Sequence, residues 1–255
     1  MDFQSFRDQV SARLKLDLNS YKETQLKRRI ESLMVRRKIG GYREYLQQLV
    51  ANPTVFQEFV DYLTINVTEF FRDKKPFDYL EKTVFPEMLK KKSQLKIWSA
   101  ACSNGAEPYS LTIILDELTP GKRHRLEATD LDPNILKLAA NGRYPADLLR
   151  NMDPNRVKKY FKQENGFYCL DAGIKSRVLF KRHDLLSDTY GSGYDLIVCR
   201  NVQIYFTREA QEKINARFWK ALVSGGILFL GSSETIFNYA DLGYERIVSC
   251  FYRKK

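Results

Sequence analysis

Leu95–Leu111 reads LKIWSAACSNGAEPYSL, and the reading of the fold starts there. Leu95, Ile97 and Trp98 supply an apolar strand. Ser99, Ala100 and Ala101 are small enough for something to approach the backbone. Gly105 allows a tight turn, because glycine takes backbone angles closed to residues with a Cβ. Pro108 suits the first turn of a helix, where its missing N–H costs nothing. From Tyr109 to Leu118 apolar residues recur at helical spacing. Strand, turn and helix in this order present free backbone N–H groups at the top of a parallel sheet, where nucleotide-like ligands sit. The full G-x-G-x-x-G is absent, so a NAD fingerprint is not supported. An ordinary βα turn would look similar from this stretch alone.

The next strand adds weight. Leu126-Glu127-Ala128-Thr129 ends in Asp130, about 20–25 residues past the turn, where a ribose-binding carboxylate belongs in such folds. Two neighbouring hydroxyls suit a bidentate carboxylate.

WSAACSNGAEPYSL resembles the first motif of the chemotaxis receptor methyltransferases, which use S-adenosylmethionine to esterify receptor glutamates. Further matches follow in order: NVTEFFRD at 66–73, ATDLD at 128–132, CRNVQIYF at 199–206 and GGILFLGSSE at 225–234. Ordered motifs from the first third to near the C-terminus are more specific than any one alone. The usual family form has Thr at 104 and Glu at 106; here Asn104 and Ala106 stand instead, while Glu107 is kept.

A chain of 255 residues with 44% apolar content can bury a sizeable core and hold one large domain plus a small one. No run of about 18 apolar residues occurs, so no transmembrane helix is expected. The N-terminal MDFQSFRDQVSARL is charged and lacks a signal-peptide core. A cytoplasmic protein with no direct membrane insertion is the expectation. The four cysteines, Cys102, Cys169, Cys199 and Cys250, form no C-x-x-C pair, which argues against zinc and against a disulfide framework. His124 and His183 are far apart in sequence, which argues against a metal or a Ser-His-Asp triad. No metal is expected.

Residues 1–65 read as all-helical. Phe3, Phe6, Val10 and Leu14 keep helical spacing. Asn19 or Ser20 is a candidate cap for a helix from Tyr21 to Ile39, stopped at Gly40-Gly41. Leu26, Ile30, Leu33 and Met34 form its apolar stripe, and basic residues crowd its other faces. With the net charge of +11, this helix is either a solvated face or a docking surface for an acidic partner. The resemblance implies docking, to the cytoplasmic helical region of methyl-accepting chemotaxis receptors, through Arg28, Arg29, Arg36 and Arg37. These lie about two helical turns apart and share a face at least in part.

Thr64-Ile65-Asn66-Val67-Thr68 is a poor helix interior. Phe77–Lys92 is expected as an amphipathic linking helix interrupted near Pro86. Asn165-Gly166 between Tyr160-Phe161 and Phe167-Tyr168 is a hairpin signal, so 158–182 reads as a small antiparallel excursion plus entry to the third core strand. Asp195–Cys199 is a fourth strand, apolar enough to be buried on both faces. Thr207 caps a helix to Leu222 that Gly225-Gly226 ends, Ile227–Leu230 is the fifth strand, and Tyr244–Tyr252 is a last edge strand or tight pair. The fold class is α/β: a class I methyltransferase (Rossmann-like) with a mostly parallel sheet, a small N-terminal all-helical domain and a short antiparallel β-subdomain. The division expected is 1–72 for receptor docking and 73–255 for S-adenosylmethionine binding.

The resemblance implies S-adenosylmethionine as cofactor, with S-adenosylhomocysteine as product. It assigns cofactor binding to Asn66, Thr68, Arg72, Ala101, Glu107, Asp130, Asp184, Leu185, Asn201 and Val202. Arg72 and Tyr205 would serve the transfer step. A glutamate substrate is ionised at neutral pH and needs no general base. Arg72 then orients rather than grips, since a strong ion pair would blunt the nucleophile. Tyr205 would line the methyl path or bond the substrate, unless it is a core tyrosine. Phe70, Phe71 and Tyr205 could face the sulfonium, or the phenylalanines could simply pack. Gln203, where the family has an aliphatic residue, is expected to alter the pocket floor. Two other readings stand beside this one. The charge suggests an RNA or DNA methyltransferase, although no amino-methylation motif or Pro-Cys nucleophile is present. Ala106 and Gln203 suggest a non-catalytic regulator. A monomer without nucleic-acid partners is the expectation.

Overall fold

The computed structural model describes residues 1–64 and 68–255. The chain opens with α1 (Phe3–Leu14), α2 (Glu23–Arg36), α3 (Tyr42–Ala51) and α4 (Pro53–Leu63). Asp2 caps α1 by accepting from the Ser5 N–H at 2.7 Å. Asn52 caps α4, with Pro53 ready for its first turn. Phe6, Val10, Leu26, Ile30, Tyr45 and Phe59 meet in one apolar cluster. The expected ends of α2 shift. Lys22 is its N-cap and offers no side-chain bond, so neither Asn19 nor Ser20 serves. At the other end Lys38 takes a left-handed conformation (φ 59°). The Ile39 N–H then reaches back to Met34 O at 2.9 Å and Ile39 is buried, which closes the helix before Gly40.

The linking segment is α5 (Lys74–Tyr79), a π-helical turn (Leu80–Val84) and α6 (Phe85–Lys91). The break precedes Pro86, which has no N–H to continue the α-helical ladder. Then come β1 (Lys96–Ala100), α7 (Ala106–Leu118), β2 (Arg125–Asp130), α8 (Pro133–Asn141), β3 (Arg143–Tyr144) and α9 (Pro154–Tyr160). Next are β4 (Phe161–Glu164), β5 (Phe167–Leu170), α10 (Ala172–Lys175), β6 (Val178–Arg182) and β7 (Tyr194–Cys199). The chain ends with α11 (Arg208–Ala221), β8 (Leu222–Leu230), β9 (Tyr244–Val248) and β10 (Phe251–Lys254).

Seven strands form the main sheet in the order β6-β2-β1-β7-β8-β10-β9. The first five are parallel, and β10 and β9 close the edge as an antiparallel pair. Every residue of β7 is buried, as its apolar run requires. β8 starts at Leu222, earlier than Gly225-Gly226 suggested; its register against β7 slips there, and Gly225 takes φ 75°. A separate sheet, β3-β5-β4, is the antiparallel excursion, and Asn165 (φ 49°) and Gly166 (φ 78°) make its hairpin turn. This is the expected class I architecture.

The helical part meets the sheet part along two seams. Tyr21 forms an isolated antiparallel bridge with Phe206. The Lys22 N–H donates to Tyr205 O at 2.9 Å and the Thr207 N–H to Ser20 O at 2.8 Å. Across the cleft, Gln57 of α4 donates to Asp132 at 3.2 Å, and Leu131 packs on the helical cluster.

Candidate active site

A cleft of about 870 Å³, measured with its open mouth, lies over the carboxyl ends of β1, β2, β6 and β7. Its wall includes Thr68, Arg72, Ala101, Glu107, Asp130, Asp184, Leu185, Asn201, Val202 and Tyr205. Of the residues assigned to this site from sequence, Asn66 lies outside the described residues.

The turn after β1 is built around Asp130. Ala101 and Ser103 take left-handed angles (φ 64° and 50°) and Gly105 takes φ 86°. A Cβ on Gly105 would come within 2.9 Å of the Ala139 Cβ, so only glycine fits. The Ser103 N–H donates to Asp130 Oδ2 at 2.8 Å and the Asp132 N–H to Oδ1 at 3.1 Å. Asp130 therefore shapes the turn as well as facing the cleft. Each carboxylate oxygen has a second lone pair to offer a ligand hydroxyl. Burial raises its carboxyl to about 6, against the pull of those N–H donors.

Glu107, in the first turn of α7, accepts from Ser99 Oγ at 2.8 Å and lies 3.5 Å from Arg200 Nη1. Burial raises its carboxyl above the usual range, and Arg200 opposes that rise. Arg200 had no assigned role, although it sits inside CRNVQIYF. Its buried guanidinium also donates to Arg72 O at 2.9 Å and to Asp73 Oδ2 at 2.8 Å, and it stacks on Phe77 and Phe229. It thus ties the segment carrying Arg72 to the end of β7.

Glu234, the last residue of GGILFLGSSE, was likewise unassigned. Its buried carboxylate accepts the backbone N–H groups of Asn201, Val202, Gln203, Ile204 and Gly231 at 2.7–3.3 Å. A Cβ on Gly231 would stand 2.9 Å from the Asn201 backbone N and 2.6 Å from Glu234 Oε2, so a larger residue would displace this loop. The carboxylate holds Asn201 in its left-handed conformation (φ 59°) and presents Val202 and Tyr205 to the cleft.

Beyond β6, Asp184 accepts from the Leu186 N–H at 2.8 Å and from Ser187 Oγ at 3.0 Å. It is both a turn residue and a cleft residue. His183 also lines the cleft, with its ring edge-on to Trp98, and burial lowers its pKa. Tyr21, Leu63 and Thr64 reach the same cleft from the helical part. Periodicity gave no sign of them, because their role depends on how the two parts meet.

Phe70 is fully buried among Tyr144 and Phe161, and Phe71 packs beneath Arg156, so both follow the packing reading and stand outside the cleft wall. Other expectations need correction. Gln203 does not form the pocket floor; it is buried and donates to Asn215 Oδ1 of α11 at 3.1 Å. Ala106 is buried in the main core cluster. The four arginines, three in α2 and Arg37 at its C-cap, divide. Arg29 bonds Tyr62 O and stacks on the Tyr62 ring, and Arg37 pairs with Glu58. Arg28 and Arg36 are exposed, although Arg36 also lies over the Tyr62 ring, and beside them Val35 is 77% exposed.

The chain matches two family models: the CheR methyltransferase all-alpha domain over residues 1–64 and the CheR methyltransferase SAM-binding domain over residues 66–248. It is 41% identical to a chemotaxis protein methyltransferase of Listeria innocua over 254 residues, covering 99% of this chain and 97% of that protein. Against chemotaxis protein methyltransferase 1 of Pseudomonas aeruginosa identity is 36% over 271 residues, covering 100% of this chain and 98% of that one. With both parts matched in order and relatives aligned end to end, the chain belongs to the CheR methyltransferase family.

Proposed function

We propose that this protein transfers the methyl group of S-adenosylmethionine to glutamate carboxylates of methyl-accepting chemotaxis receptors, giving glutamyl methyl esters and S-adenosylhomocysteine. The convergence of Glu107, Asp130 and Leu185 in one cleft supports it most. These supply a carboxylate for an ammonium, a carboxylate for vicinal hydroxyls and an apolar contact for a base. The donor set therefore fits the amino-acid, ribose and adenine parts of the cofactor. Asn66, Thr68 and Ala101 complete the assignment, with Asp184 at the base, and Asn201 and Val202 along the wall that Glu234 fixes.

When bound, the cofactor supplies an electrophilic methyl group. Arg72 orients the incoming carboxylate, and Tyr205 borders its path. Glu107 and Asp130 fix the two ends of the cofactor, so that the methyl group is held in line for the carboxylate, and such positioning supplies much of the rate. We assign 1–72 to docking and 73–255 to transfer, with 158–182 as a small β-subdomain; Thr68 and Arg72, at the end of the first part, also reach the cleft. Arg28 and Arg36 then meet the acidic helical region of the receptor, with Arg29 and Arg37 shaping that face from within. No helix among the described residues is long and apolar enough to cross a membrane. The working site is the cytoplasm and the working unit a monomer.

The test is transfer of a labelled methyl from S-adenosylmethionine to a receptor cytoplasmic fragment, followed by mild alkali. Label released as volatile methanol identifies a carboxyl ester. Alkali-stable label on protein would point to nitrogen methylation and overturn the substrate assignment.

A further inference from the structure

Tyr21 lies outside the sheet part, yet it is a wall of the cleft. Its ring stands edge-on to Phe206 with centroids 5.0 Å apart. The backbone on either side is pinned to residues 205–207 by the two hydrogen bonds of the bridge. Among the described residues, no hydrogen bond engages its hydroxyl, so the phenol is available to a ligand. The acidic groups that bear on it are Asp184, Asp130 and Asp17, and with burial they push it above its ordinary value. Asp130 ends β2 and Asp184 lies just past β6, the side of the sheet where the nucleoside of such a ligand lies. Glu107, Arg200 and Arg72 occupy the β1–β7 end instead.

We propose that Tyr21 is a cofactor-binding residue, contributed by the helical part, whose hydroxyl and ring close the cleft over the adenosine end. This rests on the cofactor reading above and extends it to a residue outside the methyltransferase sheet. It also follows that cofactor affinity depends on the seating of the helical part, since Tyr21 cannot move without the strand bridge to Phe206.

Calorimetry on the full chain with S-adenosylhomocysteine decides it. Tyr21→Phe keeps the ring and its contact with Phe206 and is expected to bind about threefold to tenfold more weakly. Tyr21→Leu is expected to lose roughly tenfold or more. A similar loss is expected for 5′-methylthioadenosine, which keeps the nucleoside and lacks the amino-acid end. Both variants within about twofold of the unmodified chain would overturn the inference while leaving the cofactor reading intact. So would a loss seen only with S-adenosylhomocysteine, because that places the effect at the methionine end. If the unmodified chain binds neither ligand, the cofactor reading fails and this inference with it. Thermal midpoints on the same samples separate lost contact from lost fold. Tyr21→Phe carries the decision if Tyr21→Leu unfolds.

Discussion

Glu234 holds Asn201 in place: its Oε2 accepts the Asn201 N–H at 2.8 Å, across 33 residues of chain. The same carboxylate gathers the next three N–H groups of the loop. A side chain four residues past β8 thus sets the wall that follows β7.

Glu234→Ala is expected to leave that group of buried N–H donors without an acceptor. The loss should be on the order of 3 kcal/mol of stability, together with weaker binding of S-adenosylhomocysteine. Glu234→Gln offers one acceptor and one donor, so it should rescue only part. Urea unfolding and calorimetry measure both. Full stability in the alanine variant would contradict the anchoring role.

Asp130 gives a pH dependence with a definite sign. Its folded value of about 6 lies above the ordinary 3.8. Between those values the folded chain keeps a proton the unfolded chain has lost, so stability from this group falls as pH rises through that window. Cofactor binding runs the other way, because ribose hydroxyls donate to the ionised form. Affinity for S-adenosylhomocysteine should fall by up to about tenfold per pH unit below about 6. Asp130→Asn should bind weakly at every pH and show no such step. A flat profile in the unmodified chain would refute the ribose assignment.

The arginines of α2 and its C-cap should separate by role. Arg28→Glu with Arg36→Glu is expected to spoil receptor methylation, most visibly at low salt, with cofactor affinity unchanged and only a small loss of stability from the Arg36–Tyr62 contact. Val35→Ser should weaken the same step by removing an apolar contact. Arg37→Ala should cost about 1 kcal/mol or less of stability, since Glu58 is half exposed. Equal effects of Arg36→Glu and Arg37→Ala on docking would argue against this division.

Gln203 and Asn215 form a buried pair, and a double-mutant cycle tests it. Gln203→Leu alone strands Asn215 and should cost about 1–3 kcal/mol. Adding Asn215→Leu should recover much of that, giving a coupling energy of about 1 kcal/mol or more. Additive losses would mean the amides act independently.

The sheet was legible because its strands follow the apolar pattern that burial demands, as in Asp195–Cys199. Asp130 was legible because its distance from the β1 turn is set by the length of one strand–helix unit. Glu234 and Arg200 escaped for a different reason. Each lies inside a quoted motif, but its work is to hold backbone or a neighbouring charge, and sequence spacing does not show which loop will fold against it. Phe70 and Phe71 were ambiguous because packing and ligand contact use the same residue type. Tyr21 had no local signal at all. The split among the α2 arginines depended on Tyr62 and Glu58, which α4 brings alongside.

The bridge between Tyr21 and Phe206 bears on how such proteins can be recombined. A chimera that takes its helical part from one relative and its sheet part from another inherits two halves of a hydrogen-bonded strand pair. Residues 20–22 and 205–207 would have to be exchanged together, although they are far apart in the gene. Cutting between the two parts at a convenient linker severs an element of the catalytic cleft itself. An isolated sheet part would lack Tyr21 and with it one wall of the cleft.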